Sequence, residues 1–186
     1  NSYCYDLGCS LGAVTLAIRH SINVDGVSVI AIDNSSAMVE KCHAYIEKDT
    51  SKIPVEIKCD DIRNSKVENA SFVALNFTLQ FIEPDERMSV IENIYNGMNE
   101  NGVLLMSEKI SFDDDKEQQW MTDLHVEFKK ANGYSDMEIS QKRTALDNVL
   151  IPETLKQHKE RLRAAGFTKV MLWFQCFNFV SILAIK

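Results

Sequence analysis

The sequence predicts an α/β fold whose central sheet is mostly parallel and ends in an antiparallel final strand. Strand-like apolar runs alternate with helix-like stretches over residues 2–110, which favours parallel strands joined by right-handed crossovers. Almost nothing separates the last two runs, 167–174 and 176–185, so they form a hairpin. The length of 186 residues suits one domain spanning the chain.

The first strand passes directly into a glycine-spaced turn, and a helix over 13–20 follows. Gly8 lets the backbone turn sharply and approach a ligand closely, and Gly12 permits close packing of helix on strand. We expect a polar or anionic ligand group to lie over free backbone N–H groups at the start of this helix. An ordinary strand-to-helix turn is the alternative at this point.

The second strand ends in Asp33 and Asn34, about twenty positions beyond the glycine turn. An acidic residue with this spacing is placed to accept hydrogen bonds from both ribose hydroxyls of a nucleoside. The coincidence of turn and acid therefore favours a nucleoside site. Ser35 or Ser36 can cap the next helix, expected over 37–49.

The third and fourth predicted strands, 54–58 and 70–77, also end in candidate site residues. Asp61 can accept from the exocyclic amine of adenine while Ile62 covers the ring face; a solvated turn is the alternative. Asn76 lies at the carboxyl edge, where open α/β sheets bind ligands. A buried asparagine satisfied by backbone groups is equally compatible with that position.

The alternation breaks after the fifth strand, 103–107, and residues 111–155 read as polar helices without a strand. We interpret this insertion between strands five and six as a substrate lid. Arg143 could hold a carboxylate through two parallel hydrogen bonds, although a solvated helix face is the alternative. The full set of candidates for binding an anion is Lys129, Lys130, Tyr134, Ser140, Lys142 and Arg143.

Composition excludes several functional classes. The formal charge of −7 argues against a broad nucleic-acid footprint. No apolar run reaches the roughly 18 residues of a membrane helix. The five cysteines show no metal-binding spacing, so we expect reduced thiols, no metal and a cytoplasmic location. Cys9 has no adjacent base, which favours a structural role over a nucleophilic one.

Together these features resemble the Rossmann-like, seven-stranded S-adenosylmethionine-dependent methyltransferase fold, with helices on both faces of the sheet. More specifically, the sequence is similar to the bacterial carboxy-S-adenosylmethionine synthases, the CmoA family, over essentially the whole chain. LNFTLQF and FKKANGYS are the most specific motifs. The stretches that carry the resemblance are YDLGCSLGA, AIDNS, DDIR, LNFTLQFIEP, LMSEKISF, HVEFKKANGYSDMEISQKR and LWFQCFNF.

The resemblance implies conversion of S-adenosylmethionine and prephenate into carboxy-S-adenosylmethionine and phenylpyruvate. A partner enzyme uses that product to carboxymethylate the wobble uridine of certain tRNAs. The resemblance also implies a homodimer, no metal, and a segment with a pocket tyrosine before the first strand, which we expect to be missing here. The implied cofactor contacts are Gly8, Cys9, Ser10, Asp33, Asn34, Asp61, Ile62, Asn76 and, for the carboxylate, Arg143.

The implied chemistry explains why no catalytic histidine or aspartate pair is evident. A sulfonium acidifies its methyl group, and loss of a proton there gives a carbon nucleophile that captures the carboxyl group leaving prephenate. The hydroxide released from prephenate can serve as the base. The protein then has to hold two reactants together and exclude water. An ordinary methyltransferase acting on a small molecule or tRNA, and a non-catalytic nucleoside-binding protein, are the alternatives.

Overall fold

A computed structural model describes residues 1–146 and 149–186 of the chain. Seven strands form a continuous sheet, and an eighth, short strand pairs beside it in the described part of the chain. The strands are β1 (Ser2–Leu7), β2 (Val27–Asp33), β3 (Val55–Cys59), β4 (Ala70–Asn76), β5 (Met98–Ser111), β6 (Glu153–Thr154), β7 (Lys169–Cys176) and β8 (Phe179–Ile185). Their order across the sheet is β3-β2-β1-β4-β5-β8-β7.

The strand directions confirm the predicted fold class. Neighbours from β3 to β5 pair in parallel, whereas β8 is antiparallel to both β5 and β7. The short β6 lies within the insertion and pairs in parallel with the end of β5. The expectation that residues 111–155 contain no strand was therefore wrong, since a two-residue strand leaves no periodic pattern. Strand β5 is also longer than predicted, because β4 and β8 continue to pair with its polar ends.

Helices connect the strands and build most of the insertion. They are α1 (Ala13–Ser21), α2 (Ser36–Lys48), α3 (Arg87–Gly97), α4 (Asp115–Ala131), α5 (Asp136–Leu146) and α6 (Leu155–Ala164). A 3-10 turn, Leu79–Phe81, follows β4. None of the helices within the two described segments is long and apolar enough to cross a membrane.

The core lies on both faces of the sheet, as the alternation of side chains along β2 shows. Ile30 and Ile32 belong to the larger core cluster, whereas Ala31 packs with Cys9 and Cys42 in a second one. Successive strand residues point to opposite faces, so the two clusters flank the sheet. This confirms the prediction of helices on both faces.

A buried ionic network fastens the end of the insertion to α3. The Arg87 guanidinium is fully buried and donates from Nη1 to Glu153 Oε2 at 2.5 Å and from Nη2 to the Ile151 carbonyl at 2.7 Å. Arg161 Nη2 donates to the other Glu153 oxygen at 2.5 Å. Because β6 and α6 are held in this way, the insertion has a fixed base.

Candidate functional site

The glycine turn after β1 has a geometry that only glycine fits. Gly8 and Gly12 have φ of 83° and 86°, in the left-handed region that favours glycine. A Cβ on Gly8 would lie 2.2 Å from Thr78 Oγ1, and one on Gly12 would lie 2.7 Å from Cys42 Sγ. The two glycines therefore let the turn pack against the loop after β4 and against α2.

The backbone N–H groups of this turn are already used within the protein. Gly8 and Cys9 both donate to the Ile32 carbonyl, at 2.8 and 2.9 Å, and Ser10 N donates to Asp33 Oδ2 at 2.9 Å. The Gly8, Cys9 and Ser10 N–H groups are therefore not free to bind an anion, whereas the expected ligand position at the start of α1 stays a prediction. These three groups fasten β1 to the end of β2 instead, so the turn supplies shape rather than anion-binding donors.

Asp33, at the end of β2, is held in place by two backbone donors. Its Oδ2 accepts from Ser10 N and its Oδ1 accepts from Ser35 N, each at 2.9 Å. Each carboxylate oxygen keeps a further lone pair for a ligand hydroxyl. Ser35 occupies the N-cap position of α2, but its side chain makes no capping hydrogen bond. Asn34 lies beside Asp33 and is exposed.

Asp61 and Ile62, after β3, lie in a more constrained setting than the sequence suggested. Arg63 Nε donates to both Asp61 carboxylate oxygens at 3.0 Å, and its Nη2 donates to Oδ2 at 2.6 Å. The Arg63 hydrogen bonds hold the pKa of Asp61 below its usual value. A ligand amine at Asp61 must share this carboxylate with Arg63. Ile62 is buried in the larger core cluster.

Asn76 is half-buried at the carboxyl end of β4, where the chain turns over the sheet. The next residue, Phe77, has a φ of 56° and donates its N–H to the Ser107 carbonyl at 2.7 Å. Thr78 Oγ1 donates to the Leu7 carbonyl at 3.0 Å. The loop therefore joins the ends of β1, β4 and β5, with Asn76 in the middle. We call the carboxyl ends of β1 to β4 and the turns that follow them the rim.

A cavity of about 590 Å³ lies next to the rim, between the insertion and the ends of β4, β5 and β8. Helices α4 and α5 each present one face to it, at spacings typical of a helix surface. From α4 the lining residues are Gln118, Thr122, His125, Val126 and Lys129. From α5 they are Ile139, Lys142, Arg143 and Leu146.

The lining of this cavity carries four cationic side chains. Lys109, Lys129, Lys142 and Arg143 line it, and none of its lining residues within the described segments is acidic. Burial lowers the pKa of Lys129, and the nearby Lys142 and Lys109 lower it further. In a chain with a net charge of −7, this concentration of positive charge favours an anionic ligand.

His125 also lines the cavity, and sequence reasoning missed it as a site residue. Its ring lies against Phe179, with centroids 4.9 Å apart, and against Phe177 at 5.9 Å. Burial lowers its pKa from the ordinary value, with Lys129 contributing next. A single histidine forms no sequence motif. The signal available was that His125 lies four residues before Lys129, a spacing that places both side chains on one face of a helix.

Glu108 holds in place a turn that lines the cavity. It is completely buried, and its two oxygens accept from Leu79 N at 2.9 Å and Gln80 N at 3.1 Å. Burial raises its pKa to about 8. The turn that it holds presents Gln80 and Phe81 to the cavity. Its function as a turn-fixing residue was also missed, because it depends on a contact between β5 and a distant loop.

Two groups beneath the glycine turn are buried. Asp6 Oδ2 accepts from Thr15 Oγ1 at 2.6 Å, and burial raises the pKa of Asp6 to about 6. Burial also strongly raises the pKa of the Cys9 thiol. A thiol that resists ionisation is a poor nucleophile, which favours the structural interpretation of Cys9.

The structure thus divides the predicted residues between two adjacent places. Arg143 lines the cavity, whereas Lys130 points to ion pairs with Asp136 at 3.0 Å and Glu127 at 3.6 Å. No cluster of three or more His, Cys, Asp or Glu side chains suited to a metal ion occurs in the segments described. The residues brought together at the rim are Gly8, Cys9, Ser10, Asp33, Asn34, Asp61, Ile62 and Asn76.

Solved structures of low sequence identity share this fold. The apo form of the S-adenosylmethionine-dependent methyltransferase SibL superposes with a TM-score of 0.69 at 15% identity, over 100% of this chain and 50% of SibL. Human N-acetylserotonin methyltransferase in complex with SAM gives 0.65 at 15% identity, over 99% of this chain and 47% of that one. These likenesses establish the methyltransferase-like fold.

Sequence relatives are much more similar. A methyltransferase-domain family model matches residues 5–102. The carboxy-S-adenosyl-L-methionine synthase of Marinobacter nauticus is 54% identical over 185 residues, covering 100% of this chain and 74% of the relative. The enzyme of that name from Histophilus somni is 55% identical over 186 residues, covering 100% and 77%. With this identity over its full length, the chain belongs to the carboxy-S-adenosyl-L-methionine synthase family, a family of transferases built on the methyltransferase fold.

Proposed function

We propose that the protein converts S-adenosyl-L-methionine and prephenate into carboxy-S-adenosyl-L-methionine and phenylpyruvate. The observation that carries the proposal is the cationic cavity containing Arg143, directly beside a rim with the features of an adenosyl site. A conventional methyltransferase needs the rim but has no general need for a cavity lined with cations. The relatives' name, carboxy-S-adenosyl-L-methionine synthase, supports the same product.

The residues at the rim fit S-adenosyl-L-methionine as a substrate. Asp33 is oriented by two backbone donors and keeps acceptor capacity for the ribose hydroxyls. Gly8 lets the chain pass closely over the site, and Asp61 with Ile62 would border the adenine. The Gly8, Cys9 and Ser10 N–H groups are satisfied within the protein, which suits a cationic sulfonium better than a phosphate. Asn76, at the end of β4, is the rim residue directly before Phe77, which lines the cavity.

In the proposed reaction a carboxyl group and a hydroxide leave prephenate as its ring becomes aromatic. The sulfonium methyl of S-adenosyl-L-methionine gives one proton to that hydroxide, forming water, and receives the carboxyl group. The chain's own residues hold the reactants next to each other and limit the access of water. Glu108 keeps the turn with Gln80 and Phe81 in position, and the insertion forms the lid over the cavity.

Arg143 is the residue that we propose meets the new carboxylate. A guanidinium binds a carboxylate through two parallel, charge-assisted hydrogen bonds, which fixes orientation as well as charge. In the described segments, Arg143 has no ion-pair partner of its own. It is therefore available for an acid group of the ligand, and it distinguishes carboxylated from plain S-adenosyl-L-methionine.

The test is to incubate the protein with S-adenosyl-L-methionine, with and without prephenate, and to weigh the nucleoside product. We expect a nucleoside that has gained one carboxyl group, only when prephenate is present. Formation of S-adenosylhomocysteine with an added acceptor would instead indicate a conventional methyltransferase, which the fold neighbours favour as the second candidate. Retention of ligand without turnover would indicate a binding protein.

We further propose a cytoplasmic homodimer that passes its product to a tRNA-modifying enzyme without binding nucleic acid itself. Five free cysteines support a reducing compartment, and the net charge of −7 disfavours direct RNA contact. Trp120, Phe128 and Trp173 are more than half exposed, which supports a partner surface. Light scattering on the purified protein would test the dimer, and a monomeric mass at micromolar concentration would contradict it.

A further inference from the structure

We propose that Lys129 and Lys142 form a second carboxylate subsite in the cavity, separate from Arg143. This subsite holds the 2-oxo carboxylate of the dicarboxylate substrate, the group that remains on phenylpyruvate after the reaction. The inference rests on the proposed function, in which one carboxyl group of prephenate is transferred and the other is retained. A transferred and a retained carboxylate have to occupy different positions, so each needs its own cation.

The two lysines approach the cavity from different helices. Lys129 lies four residues after His125 on the cavity face of α4, and Lys142 lies three residues after Ile139 on the cavity face of α5. Both side chains therefore enter the space between the helices. Arg143 follows Lys142 directly and also lines the cavity.

Neither ammonium group has an ion-pair or hydrogen-bond partner among residues 1–146 and 149–186, whereas the adjacent Lys130 pairs with Asp136 and Glu127. Lys142 and Lys109 are close enough to Lys129 to lower its pKa. Like charges brought together in a partly buried space are unfavourable unless an anion neutralises them. The Lys129 and Lys142 ammonium groups are therefore suited to bind a carboxylate.

The rest of the lining suits the remainder of the same ligand. Phe77, Phe179, Val126 and Ile139 provide apolar walls, and the volume of about 590 Å³ is in the range for small organic ligands. A six-membered ring between these walls would have its two carboxyl groups directed at different cations. The planar guanidinium of Arg143 suits bidentate binding, whereas two ammonium groups suit a carboxylate held by charge from two sides.

The test measures binding of phenylpyruvate by calorimetry and the KM for prephenate in Lys129→Gln and Lys142→Gln. We expect both the Kd for phenylpyruvate and the KM for prephenate to rise about 10- to 100-fold, the loss of one hydrogen bond to a charged group. The Kd for S-adenosyl-L-methionine should change less than about twofold. Lys129→Arg and Lys142→Arg retain the charge and should recover most of the affinity.

Lys116→Gln is the matched control, because Lys116 lies on α4, is exposed and loses the same charge away from the cavity lining. It should leave both constants unchanged. Arg143→Ala should weaken phenylpyruvate binding less than either lysine variant does, since phenylpyruvate lacks the transferred carboxyl group. Thermal unfolding of each variant confirms that it is folded.

Phenylpyruvate binding separates the outcomes because it needs no turnover. Unchanged binding in both lysine variants, or no binding by the unaltered protein, overturns the subsite. If carboxy-S-adenosyl-L-methionine still forms in that case, the proposed function stands alone. If phenylpyruvate binding depends on the lysines but prephenate yields no carboxylated nucleoside, the proposed function fails while the subsite stands.

Discussion

The rim and the cavity lie side by side but are built in opposite ways. At the rim, backbone N–H groups, the Asp33 carboxylate and the Thr78 hydroxyl already have partners within the protein. In the cavity, Lys129 and Lys142 have none among the described residues, and the described part of α4 and α5 contains no buried residue. The rim is therefore preorganised for its ligand, whereas the cavity walls gain interactions when an anion binds.

The base of the insertion, where Glu153 pairs with Arg87 and Arg161, should be preorganised in the same way as the rim. The substitution Glu153→Gln tests this and has the largest expected effect. Removing the carboxylate leaves Arg87 and Arg161 buried without their counter-ion. We expect the free energy of unfolding to fall by about 3–5 kcal/mol in denaturant titrations. Glu160→Gln, which removes an exposed pair with Lys156, should change it by less than about 0.5 kcal/mol. Equal effects would mean that the base is not rigid.

Gly8→Ala tests the preorganisation of the rim itself. The new Cβ would meet Thr78 Oγ1 at 2.2 Å in addition to the unfavourable φ of 83°. Left-handed strain and overpacking together should lower the free energy of unfolding by about 2–4 kcal/mol and abolish S-adenosyl-L-methionine binding.

The control for that substitution is Gly133→Ala. Gly133 has a similar φ of 87°, but a Cβ there would meet no atom within 4 Å. Only the backbone strain remains, so we expect a loss of about 1 kcal/mol and unchanged ligand binding. If Gly8→Ala and Gly133→Ala lowered the free energy of unfolding by the same amount, close packing of Gly8 on Thr78 would not contribute to the stability of the rim.

Arg143→Ala sharpens the comparison from the side of the cavity. Loss of two charge-assisted hydrogen bonds should weaken binding of carboxy-S-adenosyl-L-methionine by about 2–3 kcal/mol, or roughly 30- to 150-fold. Binding of S-adenosyl-L-methionine and the unfolding free energy should stay nearly unchanged, since Arg143 is exposed. Calorimetric titration with both nucleosides measures this, with Arg163→Ala, at an exposed position of α6, as control. Equal loss for both ligands would exclude the proposed selectivity.

Sequence reasoning found the rim because each rim residue follows a strand in a short local pattern. The Gly8 turn, Asp33 and Asn76 can each be placed once the end of a parallel strand is recognised. What it missed depends on distant contacts. Glu108 fixes a turn almost thirty residues before it, and the Gly8 and Cys9 N–H groups bond to the end of β2. Arg63, in contrast, binds the Asp61 carboxylate from only two residues away, and the sequence pattern did not show that this carboxylate is already used. The sequence also predicts a second helix of the insertion around 137–150. The structure describes it as Asp136–Leu146, and residues 147 and 148 lie outside the described residues.

The smallest effect concerns His158, beneath the insertion. Both ring nitrogens are buried without a partner in the described structure, and burial lowers the pKa of His158 to about 4. As pH falls below about 6.5, the unfolded chain binds a proton that the folded chain cannot accept until about pH 4. Stability contributed by this group is therefore lost over that window, by about 1 kcal/mol at pH 5.5.

His158→Leu should remove this loss, so the difference in unfolding free energy between it and the unaltered protein should grow as pH falls from 7.5 to 5. His43→Leu, at an exposed position, should give parallel curves.

Asp6, beneath the rim, has the opposite sign: its pKa is raised to about 6, so its stabilising contribution is present at low pH and lost as pH rises through 6. In the unaltered protein the pKa shifts of Asp6 and His158 change the free energy of unfolding in opposite directions as pH falls. The pH profile of the unaltered protein therefore combines both groups, whereas its difference from His158→Leu reports on His158 alone. A constant difference across this range would show that His158 takes up a proton in the folded state as readily as in the unfolded one.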